Sequence, residues 1–358
     1  MPPFMSSMRY IKQFDGIRFI AIALVLLQHF AYSIGNRMSA GYFGVELFFA
    51  LSGFLITRII YDSRGSIGSI YKKFIGRRAL RIFPIYYLVI GILYFTGDPT
   101  ANKYIVPLST YTFNYTIAEH GLKGIPFIHV WSLCVEEQFY IIWPFVILLL
   151  RNRFKWLLAA LVSIIFLGWL QMVFLVFPMS EGYTYLGLFP RAYALALGGL
   201  AALLCEKNPV PHRWLQIKWL EPASILVLIL SLTIPHRSMY VIAPCIATFW
   251  LVKIYYQSIQ FTFIDRFLQL RWVMYLGRIS YGIYLYHIPV SVYFTKYIFN
   301  PYIWNKINFK ALGPLAGLQH QVWVVKIVLY TALAIGVAHV SFKFIEQPLL
   351  KMKDKWFA

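Results

Sequence analysis

Residues 14–30 read FDGIRFIAIALVLLQHF, and the reading of this stretch decides the fold. The run is apolar enough to enter hydrocarbon, yet Arg18 stands near its start and His29 near its end. Eleven residues are close to three helical turns, so both side chains point to nearly one face, ~16 Å apart along the axis. Ionisable groups are costly inside a bilayer, and each one there reads as a functional-site hypothesis.

Similar runs recur along the 358 residues. The chain is 60% hydrophobic and only 13% charged, whereas a soluble domain is about a quarter charged. Repeated apolar runs of ~20 residues, enough to cross ~30 Å of hydrocarbon, indicate an all-α polytopic membrane protein. Ten helices are predicted, over 17–34, 42–60, 82–96, 131–150, 156–177, 186–205, 219–235, 239–256, 279–299 and 322–345. Most of the 33 Lys and Arg then fall on one side, which predicts both termini inside. The net charge of +20 raises nucleic acid as a partner, but the cations alternate with apolar runs and form no basic face. The bilayer, not nucleic acid, is the expected partner. Cys134, Cys205 and Cys245 lie in or beside apolar runs, with no disulfide or zinc spacing, so no metal is expected. The first run lacks a preceding cleavage signal and reads as a retained span. One membrane domain over 1–358 is expected, with no appended soluble domain. Residues 258–277 read as an amphipathic helix on the inner surface, or as an eleventh, shorter span.

Three groups of polar residues stand out. His29 is expected ~18 Å into the first helix, and Glu136 and Glu137 of WSLCVEEQFYIIWP ~9 Å down the fourth from the opposite side. Glu46 of GVELFFALSGFLI enters at a comparable level. A histidine and carboxylates can therefore share a buried pocket, where a carboxylate orients an imidazole acting as general base. A single intramembrane histidine can equally serve as a hydrogen-bond partner for a neighbouring helix. Adjacent glutamates point ~100° apart, so both cannot face one partner.

The second group is YKKFIGRRALRIFPIYY, with Lys72, Lys73, Arg77, Arg78 and Arg81 expected just before the third helix. Arg78 and Arg81 share a face, Arg18 is expected at their level, and guanidinium forks suit phosphate oxygens. Basic juxtamembrane residues also simply hold topology or touch anionic lipid. The third is GRISYGIYLYHIPV, in which Tyr281, Tyr284, Tyr286 and His287 serve either packing or a pocket, with Pro289 breaking the helix. Arg191 is positioned to pair with Glu46, Glu136 or Glu137, or to meet a sugar. Gly198 and Gly199 suit close helix packing, and Glu346 falls at the inner boundary.

Taken together, these residues resemble acyltransferase family 3, the integral-membrane O-acyltransferases of bacterial surface glycans. The resemblance rests on Arg18 and His29 at their spacing, and on GVELFFALSGFLIT, RRALRIFPIYY, WSLCVEEQFYIIWP, ISYGIYLYHIPV and FIEQP, in order along nearly the whole chain. Two positions depart from the family pattern: Glu46 replaces an expected aspartate, and Cys134 a common serine. The resemblance implies a ten-helix core in a bacterial inner membrane, taking acyl groups, commonly acetyl from acetyl-CoA as co-substrate, to a carbohydrate or glycolipid hydroxyl. It implies donor binding by Arg78 and Arg81, with Arg77 and Arg18 beside them, and an essential Arg18–His29 pair. His29, oriented by Glu136 or Glu137, is expected to deprotonate the acceptor or to carry the acyl group itself. The rival class is a proton-coupled transporter of a small solute, against which the chain lacks an inverted repeat with paired broken helices. A non-catalytic assembly subunit is the third reading.

Overall fold

A computed structural model describes residues 10–31, 39–175, 179–208, 213–233, 239–303, 306 and 322–356. Among these residues the chain is helical with no strand. Each of the ten predicted stretches falls on a helix: α1 Lys12–Phe30, α2 Ala40–Asp62, α3 Ile67–Phe95, α4 Trp131–Leu150 and α5 Phe154–Phe174. They continue with α6 Leu188–Lys207, α7 Leu220–Thr233, α8 Met239–Tyr255, α9 Ser280–Phe294 and α10 Val322–Ser341. The predicted ends at 32–34, 176–177 and 234–235 lie outside the described residues. Seven helices are long and apolar enough to cross a membrane, while α7 and α8 are apolar but shorter. The chain is thus a multi-pass membrane protein; seven of the ten predicted spans meet the length and apolarity of a crossing.

Two boundaries differ from the sequence reading in ways that matter. α1 starts five residues early, at Lys12, and ends at Phe30, so His29 sits in its last turn. α3 begins at Ile67, where the Ser66 hydroxyl accepts from the Ser69 amide at 3.3 Å, and runs through Pro84. The arginines lie inside this helix instead of preceding it. Pro84 does not stop it, and two residues before the proline the Tyr281 hydroxyl of α9 donates to the Ile82 carbonyl at 3.1 Å. The amphipathic segment is two short helices, Thr262–Leu268 and Arg271–Arg278, broken at Gln269 and Leu270. Neither is long enough to span.

Charge is inside and oil outside, as hydrocarbon solvation requires. Phe166, Phe174, Leu226 and Val328 are exposed, while the ion pairs Arg191–Glu46 and Lys253–Glu221, each at 2.5 Å, have side chains of 0% accessibility. The second pair ties α7 to α8, and Glu221 also accepts from the Gln260 and Phe261 amides at 2.6 and 2.9 Å. α2 and α6 cross with their backbones touching. A Cβ on Gly53 would stand 1.8 Å from the Leu195 carbonyl oxygen, and one on Gly198 1.9 Å from that of Ala50. Without a hydrophobic force between helices in lipid, such small-residue contact is what drives association. α1 packs along α2 in the same way, with Gly44 against the Ala21 carbonyl. This core holds the polar faces of α1, α2, α3, α4 and α9 toward one another.

Candidate active site

Three histidines from three helices meet at one end of α1. The rings of His29 and His287 have centroids 4.9 Å apart, and those of His129 and His287 4.7 Å. His129 lies in the short turn Ile128–Val130 that opens α4, and His287 in α9. His129 and His287 are buried, whereas His29 keeps an exposed face. The Tyr284 hydroxyl braces the group, donating to the His129 carbonyl at 2.6 Å and lying 2.7 Å from the Ser132 hydroxyl.

The partners of each ring assign its protons, because a carbonyl can only accept. His287 Nδ1 lies 2.6 Å from the Tyr284 carbonyl, so a neutral His287 carries its proton there and Nε2 is a lone pair. That Nε2 lies 3.1 Å from His29 Nδ1, which also faces the Val25 carbonyl at 3.0 Å. Both neighbours are acceptors, so His29 Nδ1 holds the hydrogen and shares it between them. The lone pair of His29 is left at Nε2, in a residue that is exposed. His129 Nε2 donates to the Leu285 carbonyl at 3.2 Å, and its buried Nδ1 has no hydrogen-bond partner. An imidazole held in one tautomer, with one nitrogen left as a lone pair, has the geometry of a general base.

The expected carboxylates are elsewhere. Glu136 accepts from Ser52 at 3.1 Å and from Tyr140 at 2.8 Å, and Glu137 lies 3.9 Å from Arg78. Among the described residues none of the three imidazoles pairs with a carboxylate. The orientation that sequence reasoning assigned to Glu136 or Glu137 comes from His287 and the Val25 carbonyl.

Those glutamates belong to a second, arginine-rich cluster. The Arg78 guanidinium stacks 3.3 Å over the Tyr140 ring centroid, and its buried Nε makes no hydrogen bond. Arg18 pairs at 2.5 Å with buried Asp15, which also receives the Tyr10 hydroxyl and lies 4.0 Å from Arg278. Arg81 is within electrostatic reach of Arg18, Arg78 and Asp15, and of Glu346 at the far end of the chain. It keeps accessible surface despite this crowding. Arg77 stands one residue from Arg78 on α3. The level shared by Arg18, Arg78 and Arg81 was legible from sequence; the carboxylates among them were not. Three arginines gathered from two helices fit a phosphate-bearing ligand.

Glu46 takes neither role. It is buried with Arg191 in an aromatic cage, the guanidinium 4.5, 5.1 and 4.3 Å from the Tyr42, Trp131 and Tyr185 centroids. Of the three partners open to Arg191, Glu46 is the one it takes. Tyr281 ties α9 to α3 through the Ile82 carbonyl. His129 escaped the sequence reading because it precedes the apolar run, although a histidine two residues before Trp131 on a helix that carries Glu136 was a usable signal. Among the described residues no cluster of three or more His, Cys, Asp or Glu is arranged to hold a metal ion.

Residues 11–342 match the family described as an acyltransferase domain. The chain belongs to this acyltransferase family. Among characterised members and relatives, it is 28% identical over 377 residues to a putative peptidoglycan O-acetyltransferase, YrhL, of Bacillus subtilis, across 95% of this chain and 55% of that protein. It is 28% identical over 379 residues to the peptidoglycan O-acetyltransferase OatA of Listeria monocytogenes, across 96% and 56%. The O-acetyltransferase OatA of Staphylococcus aureus gives 28% over 386 residues, across 99% and 59%. The chain therefore spans a little over half the length of these acyltransferases. No solved structure matches it.

Proposed function

We propose that this chain is a membrane O-acyltransferase of a bacterial inner membrane, moving an acyl group from cytoplasmic acyl-CoA to a hydroxyl of an extracytoplasmic carbohydrate. Acetyl as the group, and a peptidoglycan-type glycan as the acceptor, are favoured by the names of the relatives. The observation that carries the reading is His29, an exposed residue whose Nδ1 is committed to Val25 and His287 and whose Nε2 is left as the lone pair.

In this scheme both termini are inside, and the arginine cluster receives the donor from below. Arg78 offers its guanidinium to a phosphate, with Arg18, Arg77 and Arg81 adding charge. Asp15, Glu136 and Glu137 hold these arginines apart in place, and Tyr140 supports Arg78 from its ring face. Arg18 and His29 share a face of α1 ~16 Å apart, so the slender pantetheine arm follows that face and delivers the thioester to the histidines. His29 Nε2 takes the proton of the acceptor hydroxyl as its oxygen attacks the thioester carbon. The new C–O bond forms, the C–S bond breaks, and the imidazolium returns its proton to the departing thiolate. His287 Nε2 accepts from Nδ1–H throughout and so stabilises the transient cation.

The test is acceptor-dependent release of free CoA from acetyl-CoA by the purified chain in nanodiscs. His29→Ala is expected to lower kcat by ~10²–10⁴, the range of general-base contributions, in protein that remains monodisperse. Retained turnover in that variant would remove His29 from the chemistry.

A further inference from the structure

The face of α9 that bears His287 becomes a polar surface farther along. Ser291 and Thr295 follow His287 at steps of four residues, each ~6 Å along the axis, and so lie on nearly the same face. At Thr295 the helix widens into π geometry over Thr295–Ile303, a form that recurs at functional sites. Ser291, Val292, Thr295, Lys296 and Asn300, with Tyr330 from α10, line an open pocket of about 440 Å³. The pocket adjoins the histidines through Phe30, whose ring is 6.0 Å from that of His287 and 5.6 Å from that of Tyr330. Phe30 is the neighbour of His29 in the chain.

The hydrogen-bonding character of the lining can be worked out. Ser291 Oγ donates to the Ile288 carbonyl at 2.9 Å, and Thr295 Oγ1 to the Ser291 carbonyl at 2.6 Å. The Tyr330 hydroxyl, 2.5 Å from Thr295 Oγ1, must then be the donor of that pair. All three hydroxyl hydrogens are spent, and the oxygens of Ser291 and Tyr330 are left to accept. The donors that remain are the Asn300 amide and the Lys296 ammonium. Lys296 is exposed, lies 4.9 Å from the Tyr297 ring centroid, and among the described residues pairs with no carboxylate. Acceptors on one side and a cation with an amide on the other suit a ligand that has both hydroxyls and an anionic group. The arginine cluster, already serving the donor in the scheme above, lies toward the other end of α1.

We propose that this pocket is the acceptor subsite, holding a sugar that carries a carboxylate. Lys296 and Asn300 take the carboxylate, the oxygens of Ser291 and Tyr330 accept from ring hydroxyls, and another hydroxyl of the glycan reaches Nε2 of His29. The inference rests on the acyltransferase reading for that last step, while recognition of the sugar does not depend on it.

Two probes with the same N-acetyl groups separate charge from shape: the disaccharide of N-acetylglucosamine and N-acetylmuramic acid, and neutral di-N-acetylchitobiose. Binding to the full chain in nanodiscs is measured without acetyl-CoA, and the acceptor KM for acetyl transfer is measured alongside. The acidic disaccharide is expected to bind more tightly than the neutral one. Lys296→Ala is expected to weaken the acidic one about tenfold, the worth of one charge-assisted hydrogen bond, and to raise its KM to match. Lys296→Arg should retain most of the binding, which separates charge recognition from a structural role. Equal binding of the two probes, or Lys296→Ala indistinguishable from the parent chain, overturns the subsite. Charge-selective binding with no acetyl transfer by the parent chain would keep the subsite and remove the transferase reading. Transfer that is indifferent to Lys296 would do the opposite.

Discussion

Replacing His287 with phenylalanine keeps an aromatic ring in a buried site but deletes the nitrogen that accepts from His29 Nδ1 at 3.1 Å. In the resting enzyme that hydrogen is shared with the Val25 carbonyl at 3.0 Å. The tautomer therefore survives, and the loss falls on the imidazolium formed as the acceptor is deprotonated. A hydrogen bond to a charged partner is worth ~1.5–3 kcal/mol, and each ~1.4 kcal/mol is tenfold in rate. With one of two acceptors remaining, the lower end applies, and kcat should fall about tenfold. His287→Gln offers an amide oxygen in place of the nitrogen and should recover part of the rate. The assay is CoA release at saturating acetyl-CoA and acceptor, with monodispersity in detergent as the control for folding. Parent-like kcat in His287→Phe, or equal loss in the glutamine variant, would refute the argument that a histidine performs the task usually given to a carboxylate.

Arg78→Ala removes a guanidinium from the arginine cluster and should raise the KM for acetyl-CoA about tenfold or more. Arg78→Lys, which keeps charge but loses the fork, should fall between, and a donor KM unchanged in the alanine variant takes Arg78 out of the donor site. Arg191→Met strands Glu46 at 0% accessibility without its cation, which costs ~3–5 kcal/mol. The yield of folded protein and its melting temperature should both drop, and Glu46→Leu in the same chain should restore most of the loss; an unaffected single variant would show the pair to be dispensable.

The amino-acid sequence by itself determined the class of solvent and the inventory of chemistry. Apolar runs of bilayer length specify helices wherever the backbone must satisfy its own hydrogen bonds, which is why all ten predicted stretches are helical. The 3.6-residue repeat also puts Arg18 and His29 on one face of a helix. Helix ends were less legible, since apolarity does not mark where a turn frays: α1 begins at Lys12, five residues before its expected start. Only the packed structure could decide the partners. His29, His129 and His287 are brought together from three helices, and Glu136 and Glu137 are drawn to Arg78 and Tyr140 instead. Glu46 is taken by Arg191 in an aromatic cage. The physical reason is that a buried charge is tolerable only next to its complement, and which complement lies within reach depends on helix crossings such as Gly53 on Leu195, set by contact in three dimensions.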